Sequence, residues 1–115
     1  MTKRFLLVIA ILLYFTVPVA AEGPKAGEVI YNNNCAKCHG KKGAGSVLGN
    51  GPPLVHKIYE PNHHGDASFH MAVVRGVRAH HWSFGNMPRI EGVNKDQVNK
   101  IIKYIRGLQK EAGIF

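Results

Sequence analysis

The chain has 115 residues, 45% of them hydrophobic, and carries 15 Lys and Arg against 7 Asp and Glu, a formal charge of +8. That length holds one small domain with a thin core and excludes a multidomain enzyme; such a domain often needs a prosthetic group or crosslinks for stability. The basic excess suits steering toward acidic protein faces or an anionic membrane, and the lack of an aromatic-basic stripe argues against nucleic acid as a partner.

The N-terminus reads as an export signal. Lys3 and Arg4 form a positive head, Phe5 to Phe15 is an unbroken apolar run, Pro18 breaks it, and Val19-Ala20-Ala21 offers small residues for cleavage. Residues 1–21 are therefore expected to be a signal peptide and residues 22–115 the folded, periplasmic domain. If retained, the apolar stretch 5–21 would be an anchor just short of a comfortable membrane span, and membrane contact is expected only then. Without residues 1–21 the chain keeps 13 basic residues against 7 acidic ones.

A first helix is expected from about Pro24, a favoured first-turn residue, into the cysteines. Gly27, Tyr31 and Cys35 fall at i, i+4 and i+8 and line one face. Glycine inside a helix costs about 1 kcal/mol relative to alanine, and one reason to keep it is close approach by another helix.

Cys35-Ala36-Lys37-Cys38-His39 holds both cysteines of the chain. C-x-x-C followed directly by His reads as a c-type haem attachment site. Two thiols three positions apart can each add to one vinyl group along a porphyrin edge, and the next imidazole is carried beneath the iron. The rival readings are weaker. A disulfide here would close a very small loop and stabilise little. A zinc site lacks a second ligand pair at finger spacing, and a thioredoxin-like pair lacks its βαβ setting.

Gly40, Gly43, Gly45, Gly49, Gly51, Pro52 and Pro53 permit no long element after the motif. A middle helix is expected from about Asp66, as its N-cap, to about Arg78, with Phe69, Ala72, Val73 and Val77 facing inward. The last helix is the clearest. Asn94 caps it, with Gln97 in an approximate capping box, and Val98, Ile101, Ile102, Ile105 and Leu108 form one apolar stripe. Lys95, Asn99, Lys103 and Arg106 occupy much of the rest, Tyr104 sits at the stripe's edge with a wet hydroxyl, and Gly113 stops the helix. Strand signals are nearly absent. The expected class is all-α: three main helices with long loops wrapped round a covalent haem.

Cys35 to Gly45 reads C-x-x-C-H-G-x-x-G-x-G and is similar to the haem-binding segment of class I c-type cytochromes. Gly27 and Tyr31 match that family's first helix, and Ile101 and Tyr104 match its last. Gly51-Pro52-Pro53-Leu54 resembles the family's Gly-Pro-x-Leu loop. The resemblance covers nearly all of residues 24–110 and implies that haem c is held by Cys35 and Cys38. It also implies that the Pro52 carbonyl accepts a hydrogen bond from His39 and that Leu54 packs on the ring.

For the second axial position the candidates are Met87, Met71 and the histidines at 56, 63, 64, 70, 80 and 81. Met87 is favoured, because Gly85-Asn86-Met87-Pro88 is a loop that can swing a thioether onto the face opposite His39 and is similar to the Met-Pro loop of the family. Met71 reads as core, inside a helix with an apolar face to fill. Trp82 and Phe84 are expected to wall the pocket, with the Trp82 N–H and Tyr59 hydroxyl as possible donors to a propionate.

His63-His64 and His80-His81, with His70 between them, depart from the family pattern. They are read chiefly as solvated residues pointing different ways, and alternatively as a second metal site. Lys37, Lys41 and Lys42 surround the attachment segment, where such cytochromes expose one haem edge. The expected function is an exported electron carrier and not an enzyme, ligated by His39 and Met87. Its expected partners are acidic-faced redox proteins such as a periplasmic dehydrogenase, a cytochrome bc1-type complex or a terminal oxidase. The alternatives are a tightly bound subunit, an open iron site, or an added histidine metal site.

Overall fold

The computed structural model describes residues 23–115; the expected signal peptide lies outside the described residues. Four α-helices follow one another: α1 (Pro24–Asn34), α2 (Ala36–His39), α3 (Asp66–Arg75) and α4 (Lys95–Glu111). Single 3-10 turns occupy Lys41–Gly43 and Lys57–Tyr59. Among the described residues there is no strand beyond one isolated bridge, so the all-α expectation holds. No helix of these residues is long and apolar enough to cross a membrane.

The core is built on α4. Its start carries a complete capping box: the Asn94 side chain accepts from the Gln97 N–H at 2.9 Å, and the Gln97 side chain accepts from the Asn94 N–H at 2.9 Å. Its end is a Schellman motif, with the Gly113 N–H on the Lys110 carbonyl at 2.9 Å and the Ile114 N–H on the Gln109 carbonyl at 3.0 Å. Helix α1 crosses α4 at Gly27, where an added Cβ would stand 2.2 Å from the Lys100 carbonyl oxygen. Only a hydrogen fits there. One turn further, Tyr31 is fully buried with Ile101, Tyr104 and Ile105, its ring 5.5 Å from that of Tyr104. A second cluster joins α3 to α4 through Val73, Val98 and Ile102.

Three expectations are corrected. Tyr104 is buried in the core cluster rather than at the edge of the stripe, with its hydroxyl 3.5 Å from Glu28 Oε1. The N-cap position of α3 is Gly65 and not Asp66, whose carboxylate accepts from Arg106 Nε at 2.9 Å. The same helix stops at Arg75 rather than near Arg78. Gly76 there adopts φ +73°, and a Cβ on it would lie 2.4 Å from the Met87 carbonyl oxygen. Val77 leaves the helix because its backbone pairs with Met87, each N–H donating to the other's carbonyl at 2.9 Å.

Arg106 is a further correction, because it does not lie on a solvated face. Its side chain is only 12% exposed. One guanidinium nitrogen donates to the Tyr59 carbonyl at 2.6 Å and to Gln109 Oε1 at 2.8 Å, and another donates to the His64 carbonyl at 2.6 Å. Gln109, fully buried, donates to the carbonyls of Leu54 at 2.8 Å and Tyr59 at 3.1 Å. These two side chains bind the long 54–64 loop to α4 where no apolar contact could satisfy its backbone.

Candidate haem-binding site

A cavity of about 470 Å³ opens between α3, α4 and the loops on either side of α3. Phe69, Ala72 and Val73 of α3 and Val98, Ile101 and Ile102 of α4 give it apolar walls. Cys35, His39, Pro52 and Leu54 line it from the attachment segment, and Met87 lines it from the loop after α3.

The attachment turn brings its three reactive groups together through the backbone. The Cys35 carbonyl accepts from the N–H groups of Cys38 at 3.1 Å and His39 at 2.9 Å, so both thiols and the imidazole ride on one helical turn. Cys35 is half-buried and Cys38 exposed. Burial, with Cys38 adding to it, pushes the Cys35 thiol up to about 11. His39 is buried, and its Nδ1 donates to the Pro52 carbonyl at 2.9 Å. A carbonyl can only accept, so Nδ1 carries the proton and Nε2 keeps its lone pair. Burial lowers the His39 pKa below its usual value, with the Pro52 carbonyl opposing. The ring is therefore a neutral imidazole held in one tautomer. Two thiols on one turn, this ring beside them and an apolar cavity of cofactor size fit a covalently attached porphyrin.

The comparison with protein families accords with this. The cytochrome c family model matches residues 24–109. The chain belongs to the cytochrome c family. It is accordingly a monohaem cytochrome c-type domain, a haem-based electron carrier whose haem c is attached through Cys35 and Cys38. Comparisons with curated proteins and with solved structures return no match.

The structure sorts the candidates for the second axial position of this cytochrome. Met87, Met71, His64, His80 and His81 line the cavity, whereas His56, His63 and His70 do not. Met71, expected in the core, is 43% exposed. His70 Nε2 lies 2.8 Å from Asn99 Oδ1, tying α3 to α4. His56 Nδ1 accepts from the Ile58 N–H at 3.2 Å, and its ring stands edge-on to Trp82 at 5.0 Å. The Trp82 indole N–H donates to the Tyr59 hydroxyl at 3.1 Å, so of the two expected propionate donors only the Tyr59 O–H is left uncommitted. Lys37, Lys41 and Lys42 are all exposed beside the attachment turn.

Sequence reasoning missed the pairing of Val77 with Met87, the burial of Arg106 and the role of Gln109. Gln109 carried a readable signal, because it stands four residues after Ile105 and so continues the apolar stripe. A polar side chain on a core face needs a buried partner. The bridge left no trace in local periodicity. The expectation that the paired histidines diverge is also corrected: His63, His64 and His81 converge.

Proposed function

We propose that this cytochrome is an exported one-electron carrier, and not an enzyme, in which His39 and Met87 ligate the haem iron while Lys37, Lys41 and Lys42 dock acidic redox partners. The observation that carries the reading is the backbone pairing of Met87 with Val77, which ties the methionine loop back to the end of α3, at the cavity that His39 also lines. When bound, the haem supplies a ferric–ferrous couple. Every other part of the task falls to the chain. The Pro52 carbonyl keeps His39 in the tautomer that presents Nε2. The thioether of Met87 is a soft ligand that favours the ferrous state relative to bis-histidine ligation. Apolar walls exclude water and disfavour the extra charge of the ferric state. His39 and Met87 would hold the iron between them and leave no ligand position for a substrate, which supports transfer of electrons rather than turnover of a molecule. The exposed lysines suit brief, charge-steered encounters with a periplasmic dehydrogenase, a cytochrome bc1-type complex or a terminal oxidase.

The test is the absorption spectrum of haem-loaded protein. The ferric form should show the weak far-red band of methionine–iron coordination, lost in Met87→Leu and kept in Met71→Leu. A high-spin ferric spectrum in the unmodified protein, or carbon monoxide binding to the ferrous form at neutral pH, would refute the assignment.

A further inference from the structure

Apart from His39, His70 and His56, which are engaged with Pro52, Asn99 and Ile58, the fold gathers the other four histidines at one rim of the cavity. One ligand nitrogen from each of His63, His64 and His81 lies within 4.8 Å of the other two. The His80 ring flanks them, 4.2 Å from His81 and 6.2 Å from His64. We propose that His63, His64 and His81 form a second metal site, one that takes an imidazole-preferring first-row divalent cation, zinc or copper.

Three observations carry this. The first is convergence from two separate loops. His63 and His64 sit on the turn after Tyr59, and His81 sits on the loop between α3 and Met87, so no local repeat brings them together.

The second is that both loops are fixed in place independently of the rings. The His63 and His64 N–H groups donate to the Glu60 carbonyl at 3.1 and 2.8 Å, and Arg106 holds the His64 carbonyl. Across the site, the Ala79 N–H donates to Asn86 Oδ1 at 2.9 Å.

The third is tautomer control. His64 Nδ1 donates to the Ile58 carbonyl at 2.6 Å, which leaves Nε2 as the lone-pair nitrogen, the arrangement that orients metal-binding histidines. His63 and His81 are exposed and their rings make no hydrogen bond to a described residue, so no hydrogen bond fixes either ring away from the site.

The dimensions allow closure. Metal–nitrogen bonds of about 2.0–2.1 Å in a tetrahedral site put ligand nitrogens roughly 3.4 Å apart. From separations of up to 4.8 Å, each ring has to move inward by about an ångström. The nearby carboxylates are engaged elsewhere, Glu60 with Lys57 and Asp66 with Arg106, so the donor set is imidazole alone. Such a set suits zinc and copper rather than calcium or magnesium. Three protein ligands leave a fourth position for water or an exogenous donor.

The experiment is calorimetric titration of chelator-washed ferric holoprotein with zinc chloride near pH 7.5, repeated with copper(II) under paramagnetic resonance. One equivalent of zinc should bind with micromolar or tighter affinity. His63→Ala and His81→Ala should each weaken it at least tenfold, while His70→Ala, outside the cluster, should not. Both variants alter exposed rings, and an unchanged ferric haem spectrum verifies that they fold. Copper should show nitrogen hyperfine structure that the same two variants simplify. Absence of stoichiometric binding, or binding indifferent to His63→Ala and His81→Ala, would overturn the site.

Discussion

Arg106 binds the loop that flanks the site to α4. It looks like a solvated helix residue, yet its guanidinium holds two loop carbonyls, Gln109 and Asp66, and lies 4.9 Å above the ring of Phe69. Its contacts differ in weight. The His64 carbonyl and Gln109 Oε1 would lose their donor, and such acceptors left unpaired away from water cost about 1–3 kcal/mol each, whereas the partner Asp66 is 64% exposed and its ion pair is screened. Arg106→Leu is therefore expected to lower the holoprotein's unfolding free energy by about 2–3 kcal/mol, and Asp66→Asn by less than about 1 kcal/mol. Guanidinium unfolding followed by far-UV dichroism measures both, and equal losses would contradict the description. At this scale the sequence was informative about His39, because the motif names its role. It was silent about Arg106, because a buried guanidinium and a solvated one have the same local pattern.

Among the elements, the crossing of α1 and α4 is the most constrained contact. Gly27 leaves no room for a methyl group beside the Lys100 carbonyl, while Gly107, later in α4, has nothing within 4 Å of its Cβ position. The two glycines should respond in opposite ways. Gly27→Ala forces the helices apart and is expected to cost about 1–3 kcal/mol despite alanine's better helix propensity. Gly107→Ala should stabilise by up to about 1 kcal/mol. Thermal unfolding of the two variants decides it, and stabilisation in both would show that the helices do not pack as closely as described. The boundaries of α4 were legible to the residue, because cap chemistry and a long apolar stripe are local properties. The end of α3 was not. Gly76 stops it for a reason that lies eleven residues later, in the carbonyl of Met87.

For the molecule as a whole, the proposed docking rests on charge. The chain carries 15 basic against 7 acidic residues, with Lys37, Lys41 and Lys42 exposed beside the attachment turn, and such a surface would suit an acidic partner. The bimolecular rate of electron exchange with an acidic redox protein is expected to fall several-fold between roughly 10 mM and 200 mM salt, as screening shortens from about 30 Å to under 10 Å. The triple change of Lys37, Lys41 and Lys42 to Glu should flatten that dependence. Stopped-flow kinetics reads it directly, and a rate indifferent to salt would point to a permanently bound subunit instead.

The sequence alone determined the attachment chemistry, the all-α class and both ends of α4, because each depends on residues within one or two turns of one another. Only the tertiary structure decided which of eight candidate side chains line the cavity, how Met87 is tied to Val77, and that histidines from two loops meet at one rim. Those outcomes depend on contacts between segments far apart in the chain, and periodicity and spacing carry no record of which distant backbone a residue will pair with.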